Sequence, residues 1–270
     1  MIRTIRTAAI GLATASIGVS SATAATLYWD SNGATPGVGG DGTWTDSGGN
    51  WSTDVAGTLT TTWTNANNDA ADFRGTPGTV TASGTLQASQ LLFNAGGYTL
   101  QGSTITLTPP DRGTNFGITS SVVALNYATG TGTNTITSNL AISHANSLAG
   151  DTIFLFRNAT NSNLNLNGNL SITYGAAPSN GKHYTFEAVN AASTITVNGS
   201  LAATTPGGAN TATRYNPTGA GTVIMNADNS STVTNNESRL LGGTLLLGHA
   251  NALGASNRTL NMASAARPPP

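Results

Sequence analysis

Between Gly78 and Thr108 apolar residues alternate with Thr, Ser and Gln, and small glycine-bearing turns break the run. Val80, Leu86, Leu91, Phe93, Leu100, Ile105 and Leu107 mark the apolar positions. A period of two is the pattern of strands with one face buried and one face wet. The texture then recurs. Ile136-Thr137-Ser138-Asn139-Leu140, Leu166-Asn167-Gly168-Asn169-Leu170 and Val197-Asn198-Gly199-Ser200-Leu201 share one apolar–polar–small–polar–Leu pattern, and their first residues lie 30 and then 31 positions apart. A looser relative, Leu100-Gln101-Gly102-Ser103-Thr104-Ile105, stands 36 residues before the first of them. A recurring period of this size signals stacked repeats. Three short strands use roughly 20 residues, and loops supply the rest of each turn of a β-coil.

The alternation predicts that Leu164, Leu166, Leu170 and Ile172 face inward, with Asn163, Asn165, Asn167, Asn169 and Ser171 outward. Ile195, Val197 and Leu201 repeat the inward set one coil later. Gly168 and Gly199 are expected to permit the bend between strands. Pro206 to Pro217 is rich in turn residues and reads as a loop, and strand signals return at Thr222–Met225 and Ser238–Leu247. These patterns predict an all-β chain, a β-solenoid with its repeat region over 78–262.

The ends differ from the middle. Residues 1–24 read as a signal peptide: Arg3 and Arg6, an apolar run from Ala8 to Val19, and the small-residue site Ala22-Thr23-Ala24. The run is too short and too rich in Gly and Ser for a membrane-spanning helix. Residues 25–77 hold all four tryptophans, Trp29, Trp44, Trp51 and Trp63, and six of the nine aspartates. A solenoid must close its open ends with atypical repeats, so this zone is expected to be a Trp-rich cap. The alternative is that Trp44 and Trp51 contact a ligand by stacking on sugar rings. Residues 263–270 end in three prolines and are expected to be a disordered tail.

Composition narrows the chemistry. Charged residues make up 8% of the 270 residues, against roughly 25% in an ordinary globular domain. The formal net charge is −1, and loss of Arg3 and Arg6 leaves about −3. Nucleic acid and anionic membrane surfaces need clustered Lys and Arg, so neither is an expected partner. There is no cysteine, so an exported chain must rely on burial and backbone pairing rather than disulfides.

No catalytic, cofactor or metal site emerges. Beyond Gly78 the acids are Asp111, Asp151, Glu187, Asp228 and Glu237, none paired with another acid at the repeat offset. A glycan-cleaving β-helix would need a cluster of them. Asp111-Arg112 reads as a solvated turn. His144, His183 and His249 are isolated in sequence and read as surface or half-buried loop residues, without metal-site spacing. Asn67-Asn68-Asp69-Ala70-Ala71-Asp72 offers oxygen ligands for Ca²⁺, but turn and capping use of Asn and Asp is the more common role.

Several stretches resemble secreted bacterial proteins with autotransporter-associated β-strand repeats. They are Tyr28-Trp29-Asp30, Gly42-Thr43-Trp44 and Asn50-Trp51, then Ser89-Gln90-Leu91-Leu92-Phe93 and Gly97-Tyr98-Thr99-Leu100. The most specific is Gly242-Gly243-Thr244-Leu245-Leu246-Leu247-Gly248 followed by Ala250-Asn251-Ala252-Leu253-Gly254. Together they cover about half the chain. The resemblance implies a right-handed parallel β-helix passenger, exported to the extracellular medium or the outer-membrane surface, in adhesion or structural roles. It brings no catalytic residues and leaves a glycan or a cell-surface protein as the expected partner. No translocator strands or hydrophobic anchor follow the repeats, and no polar cap closes them, so a truncated or released passenger is expected.

Overall fold

The structure, a computed structural model, describes residues 24–110, 120–144, 152–174, 182–204, 211–230, 237–254 and 259–262. The expected signal peptide, the tail and Asp111-Arg112 therefore lie outside the described residues, apart from Ala24. Among the described residues the only helix is a 3-10 turn at Asn65–Asn67, and none is long and apolar enough to cross a membrane.

The strands stack into three sheets of eleven, eight and five strands. One coil runs Asn134–Ile136 in the eight-stranded sheet, Leu140–His144 in the five-stranded sheet and Thr152–Asn158 in the eleven-stranded sheet. The next coil repeats the path with Asn163–Leu166, Leu170–Tyr174 and Lys182–Ala188, and a third with Thr194–Val197, Leu201–Thr204 and Thr211–Tyr215. Neighbouring coils pair in parallel, so the chain is a parallel β-helix, as its pattern predicted. The register realises the sequence echo: Leu100, Ile136, Leu166 and Val197 are successive partners, and so are Leu140, Leu170 and Leu201.

Alternation sets what is inside. Leu164, Leu166, Leu170, Ile172, Ile195, Val197 and Leu201 are all in the core, and Asn163, Asn167 and Asn169 are exposed. Aromatic rings stack from coil to coil along the eleven-stranded side, Phe73 on Phe93 at 5.1 Å and Phe156 on Phe186 at 5.4 Å. Buried asparagines close the corners. Asn158 Nδ2 donates to the carbonyls of Ser162 and Thr194, and Asn216 accepts from the Ala188 amide while donating to the Gly221 carbonyl. Each satisfies backbone groups that no ladder reaches.

Two expectations change, and one strand departs from the general alternation. Thr211–Tyr215 falls inside the stretch read as a loop, yet it is a strand paired in parallel with Lys182–Ala188. Pairing with the preceding coil overrides the local turn signal. Gly168 and Gly199 do not have positive φ. A Cβ on Gly168 would run into the Ser138 carbonyl, and one on Gly199 into the Gly168 carbonyl, so close approach of coils rather than backbone freedom selects glycine there. Finally, Ile153, Phe154, Leu155 and Phe156 are all buried, which places both faces of this strand away from water. A continuous apolar run is the pattern of such a strand.

At the N-terminal end the parallel stack gives way to a cap. Thr26–Trp29 pairs in parallel with Ala70–Phe73, and on its other side Trp51–Ser52 and then Thr60–Thr61 add antiparallel. The reversal covers the last parallel rung with a short hairpin, one way to blunt a sheet edge.

Candidate functional site

The three sides of the helix differ in chemistry. Among the described residues, every charged residue carried by a strand lies in the eleven-stranded sheet: Asp72, Arg157, Lys182, Glu187, Arg214, Glu237 and Arg239. The strands of the other two sheets carry none.

The outer side of the eight-stranded sheet is a set of polar files. In the central file Thr79, Thr99, Thr135, Asn165 and Thr196 are successive register partners, and Ile224 and Leu246 continue it. A second file holds Asn163, Thr194, Thr222 and Thr244. Along a third, side-chain amides hydrogen-bond from coil to coil: Asn226 Nδ2 donates to Asn198 Oδ1 at 2.7 Å, and Asn198 Nδ2 to Asn167 Oδ1 at 2.6 Å. Earlier in the stack Gln101 Nε2 donates to Thr81 Oγ1 at 3.2 Å. Parallel in-register stacking repeats each position at about 4.8 Å, the distance that lets identical amides chain together. These polar side chains are exposed or half-buried, so the hydroxyls reach solvent.

On the eleven-stranded sheet Asp72, Glu187 and Glu237 are each paired with an arginine. Arg74 clasps Asp72 with Nε at 3.0 Å and Nη2 at 2.5 Å, and lies over the Tyr28 ring at 4.7 Å. Its guanidinium pKa is raised, first by the hydrogen bond to Asp72. Arg157 Nε reaches Glu187 Oε2 on the next coil at 3.2 Å, and Thr218 Oγ1 donates to Glu187 Oε1 at 2.5 Å. Glu187 is thus buried and paired with a base, where a search for acids alone at the repeat offset finds no partner. The signal was there: Arg157 and Glu187 stand 30 residues apart, opposite charges at the repeat offset. Glu237 pairs with Arg239 at 2.7 Å and also accepts from Asn261, which hold its carboxyl below the usual range, the Arg239 bond most strongly.

Trp44 and Trp51 are completely buried, as are Trp29 and Trp63. Their rings meet each other, Trp44 edge-on to Trp63 at 4.8 Å and Trp51 against Trp63 at 4.5 Å, and Phe73 seats the cluster on the first coils. Stacking on a sugar needs an open ring face, and neither tryptophan presents one. Edge-to-face contact is the arrangement in which a ring face can receive the indole N–H groups of Trp44 and Trp51, which have no hydrogen-bond acceptor.

The remaining sequence candidates disperse. His183 is buried in the strand Lys182–Ala188 rather than in a loop; every side chain from His183 to Ala188 is buried, so both faces of this strand are covered. His144 ends the strand Leu140–His144, and His249 is exposed in a turn, its Nδ1 accepting from the Asn251 amide. In the Asn67–Asp72 stretch, Asp69 Oδ1 accepts from the Ala25 amide and Asp72 is held by Arg74 and Asn94. Among the described residues, no three His, Asp or Glu side chains gather as metal ligands.

The chain is similar to a segment of the adhesin BmaC autotransporter of Brucella suis biovar 1 (strain 1330). The two are 32% identical over 279 residues, covering 94% of this chain and 8% of that protein. The chain thus spans less than a tenth of that relative's length. No protein-family model and no solved structure matches it. The likeness to autotransporter passengers read from scattered motifs therefore extends over nearly the whole chain.

Proposed function

We propose, from the premise that this chain is an autotransporter passenger-type sequence, that it is a non-enzymatic adhesive scaffold. It is exported and acts at the outer-membrane or extracellular surface of a bacterium. The observation that carries this is similarity to an adhesin over 94% of the chain, joined to a stack of in-register parallel strands. A β-helix of this kind is stiff, because each coil hydrogen-bonds to the next along three sheets. Rigid repetition suits adhesion: many weak contacts of one type add along a rod without further ordering cost.

The absence of catalysis belongs to the same reading, and the engagement of both glutamates is in keeping with it. Glu187 and Glu237, the two glutamates of the chain, are each engaged by an arginine. A general acid or base needs a carboxyl free to face substrate. The test is binding of the purified, labelled chain to bacterial and host cells. Saturable binding supports adhesion; absence of binding to every cell type overturns it. Cleavage of pectin, alginate or another polysaccharide by the pure chain would overturn the non-enzymatic part.

A further inference from the structure

We propose that the outer side of the eight-stranded sheet is the adhesive face, and that its ligand is a neutral, extended polysaccharide lying along the stack of coils. This rests on the adhesive reading above and adds the face and the ligand class.

Three observations select the ligand. First, no strand of this sheet carries a charge, so the face has nothing with which to hold an acidic polymer or nucleic acid. Second, it lacks anchors of the kind that dominate protein interfaces. Of the large apolar side chains exposed among the described residues, only Leu246 and Leu247 belong to this sheet, both on its final rung, and its strands offer no arginine and no exposed aromatic ring. Third, it repeats a group that both donates and accepts, the Thr hydroxyl or Asn amide, on coil after coil. A polymer whose surface is itself a regular array of hydroxyls is the complement. The Asn167–Asn198–Asn226 chain adds preorganisation, since each amide is already oriented by its neighbour before ligand arrives. Single hydrogen bonds to solvent-exposed hydroxyls are weak, so affinity requires a ligand that spans several rungs.

The experiment uses the whole chain with Thr135→Val, Thr196→Val and Thr222→Val together. Valine keeps the shape and strand preference of threonine and removes the hydroxyl. Thr106→Val with Ser171→Ala, on the outer side of the five-stranded sheet, is the control. Should circular dichroism show the triple variant unfolded, Thr196→Lys alone takes its place. Retention on cellulose, chitin and mannan particles and on alginate and heparin beads is measured at low and high salt. The expected result is retention on at least one neutral polymer, unchanged by salt, about tenfold or more weaker in the triple variant and unaltered in the control. The same polymer in soluble form should displace the chain from cells. Retention on acidic polymers alone, equal retention of the triple variant, or cell binding abolished by proteolysis of the cells but not by polymer would each overturn the inference. A chain that binds cells yet ignores neutral polymers leaves adhesion standing and removes the ligand class. A chain that binds no cell removes adhesion itself.

Discussion

Gly199→Ala isolates the reason glycines recur at the corner after the eight-stranded sheet. Gly199 does not have positive φ, so alanine meets no conformational penalty of its own. Its Cβ, however, would lie closer than 3.0 Å to both the Gly168 carbonyl oxygen and the Asn169 amide nitrogen of the previous coil. The corner must open by about 1 Å to relieve that overlap. The bonds in the way are Asn198 N to Leu166 O at 2.8 Å and Gly199 N to Leu166 O at 3.2 Å. Weakening two backbone bonds at about 1 kcal/mol each, with some loss of packing around Val197 and Leu201, gives about 2–4 kcal/mol. Gly84 is the counterpart: its φ is +78° and no atom lies within 4 Å of an added Cβ. Gly84→Ala should therefore cost about 1 kcal/mol, from backbone strain alone. Asparagine tolerates the left-handed region, so Gly84→Asn should recover most of that loss while Gly199→Asn should recover nothing. Urea titration followed by far-ultraviolet circular dichroism measures all four. A Gly199→Ala chain as stable as the parent, or rescue by Gly199→Asn, would refute the close-approach argument.

Trp51→Ala removes a ring in contact with three other tryptophans and Phe73, and should cost about 3–5 kcal/mol in the same titration. Glu237 has a folded pKa below its ordinary 4.5, so its contribution is full above that value and is lost as pH falls through the lower folded value. Glu237→Gln should abolish this part of the acid-induced loss of stability, and an unchanged acid limb would count against the pairing. Asp30 is the reverse: burial raises its pKa, and Oδ2 has no hydrogen-bond partner, so the carboxylate opposes folding once pH exceeds the folded pKa. Asp30→Asn should raise the urea midpoint near pH 7 and lose that advantage in acid. Asn165 and Thr196 are register partners on adjacent coils, so Asn165→Lys combined with Thr196→Lys should repel by about 1 kcal/mol at ~4.8 Å. Asn165→Glu combined with Thr196→Lys should attract instead, and double-mutant cycles in which both couplings share a sign would contradict the stacking.

The coil was legible because inward residues recur at a nearly fixed interval, and Leu166 with Val197 or Leu170 with Leu201 fall into register as their spacing demands. Less legible was whatever depends on a neighbour whose own spacing varies. The coil between Leu100 and Ile136 is longer than the two that follow, and the step from Tyr184 to Thr213 is shorter, so the strand Thr211–Tyr215 was hidden among turn residues. The fate of the tryptophans illustrates a different limit. Sequence places Trp44 and Trp51 beside glycine turns, which favours a cap without excluding an open platform; burial is decided by Trp29, Trp63 and Phe73 arriving from elsewhere. The polar files of the eight-stranded sheet could be counted as outward threonines and asparagines, but their alignment into one charge-free side needed the register.

That alignment also accounts for the scarcity of charge. In a parallel in-register stack a residue type placed at a repeating position faces itself at about 4.8 Å, and like charges so placed repel by about 1 kcal/mol per step even in water. Threonine and asparagine escape this, since each donates to one neighbour while accepting from the other, as Asn198 does between Asn226 and Asn167. Charge is tolerated where the next rung or the same strand brings a counter-charge. Arg157 faces Glu187, Glu237 is bound by Arg239, and Asp72 by Arg74 two residues on. Arg214 and Arg239 are like charges in register, and there Glu237 feels both. A low charge content is then a condition for stacking coils rather than a mark of disorder, and its consequence is functional. Two of the three sides are left with strands bearing only uncharged outward groups, so any recognition on them proceeds without ion pairs and should persist at salt concentrations that screen charged contacts.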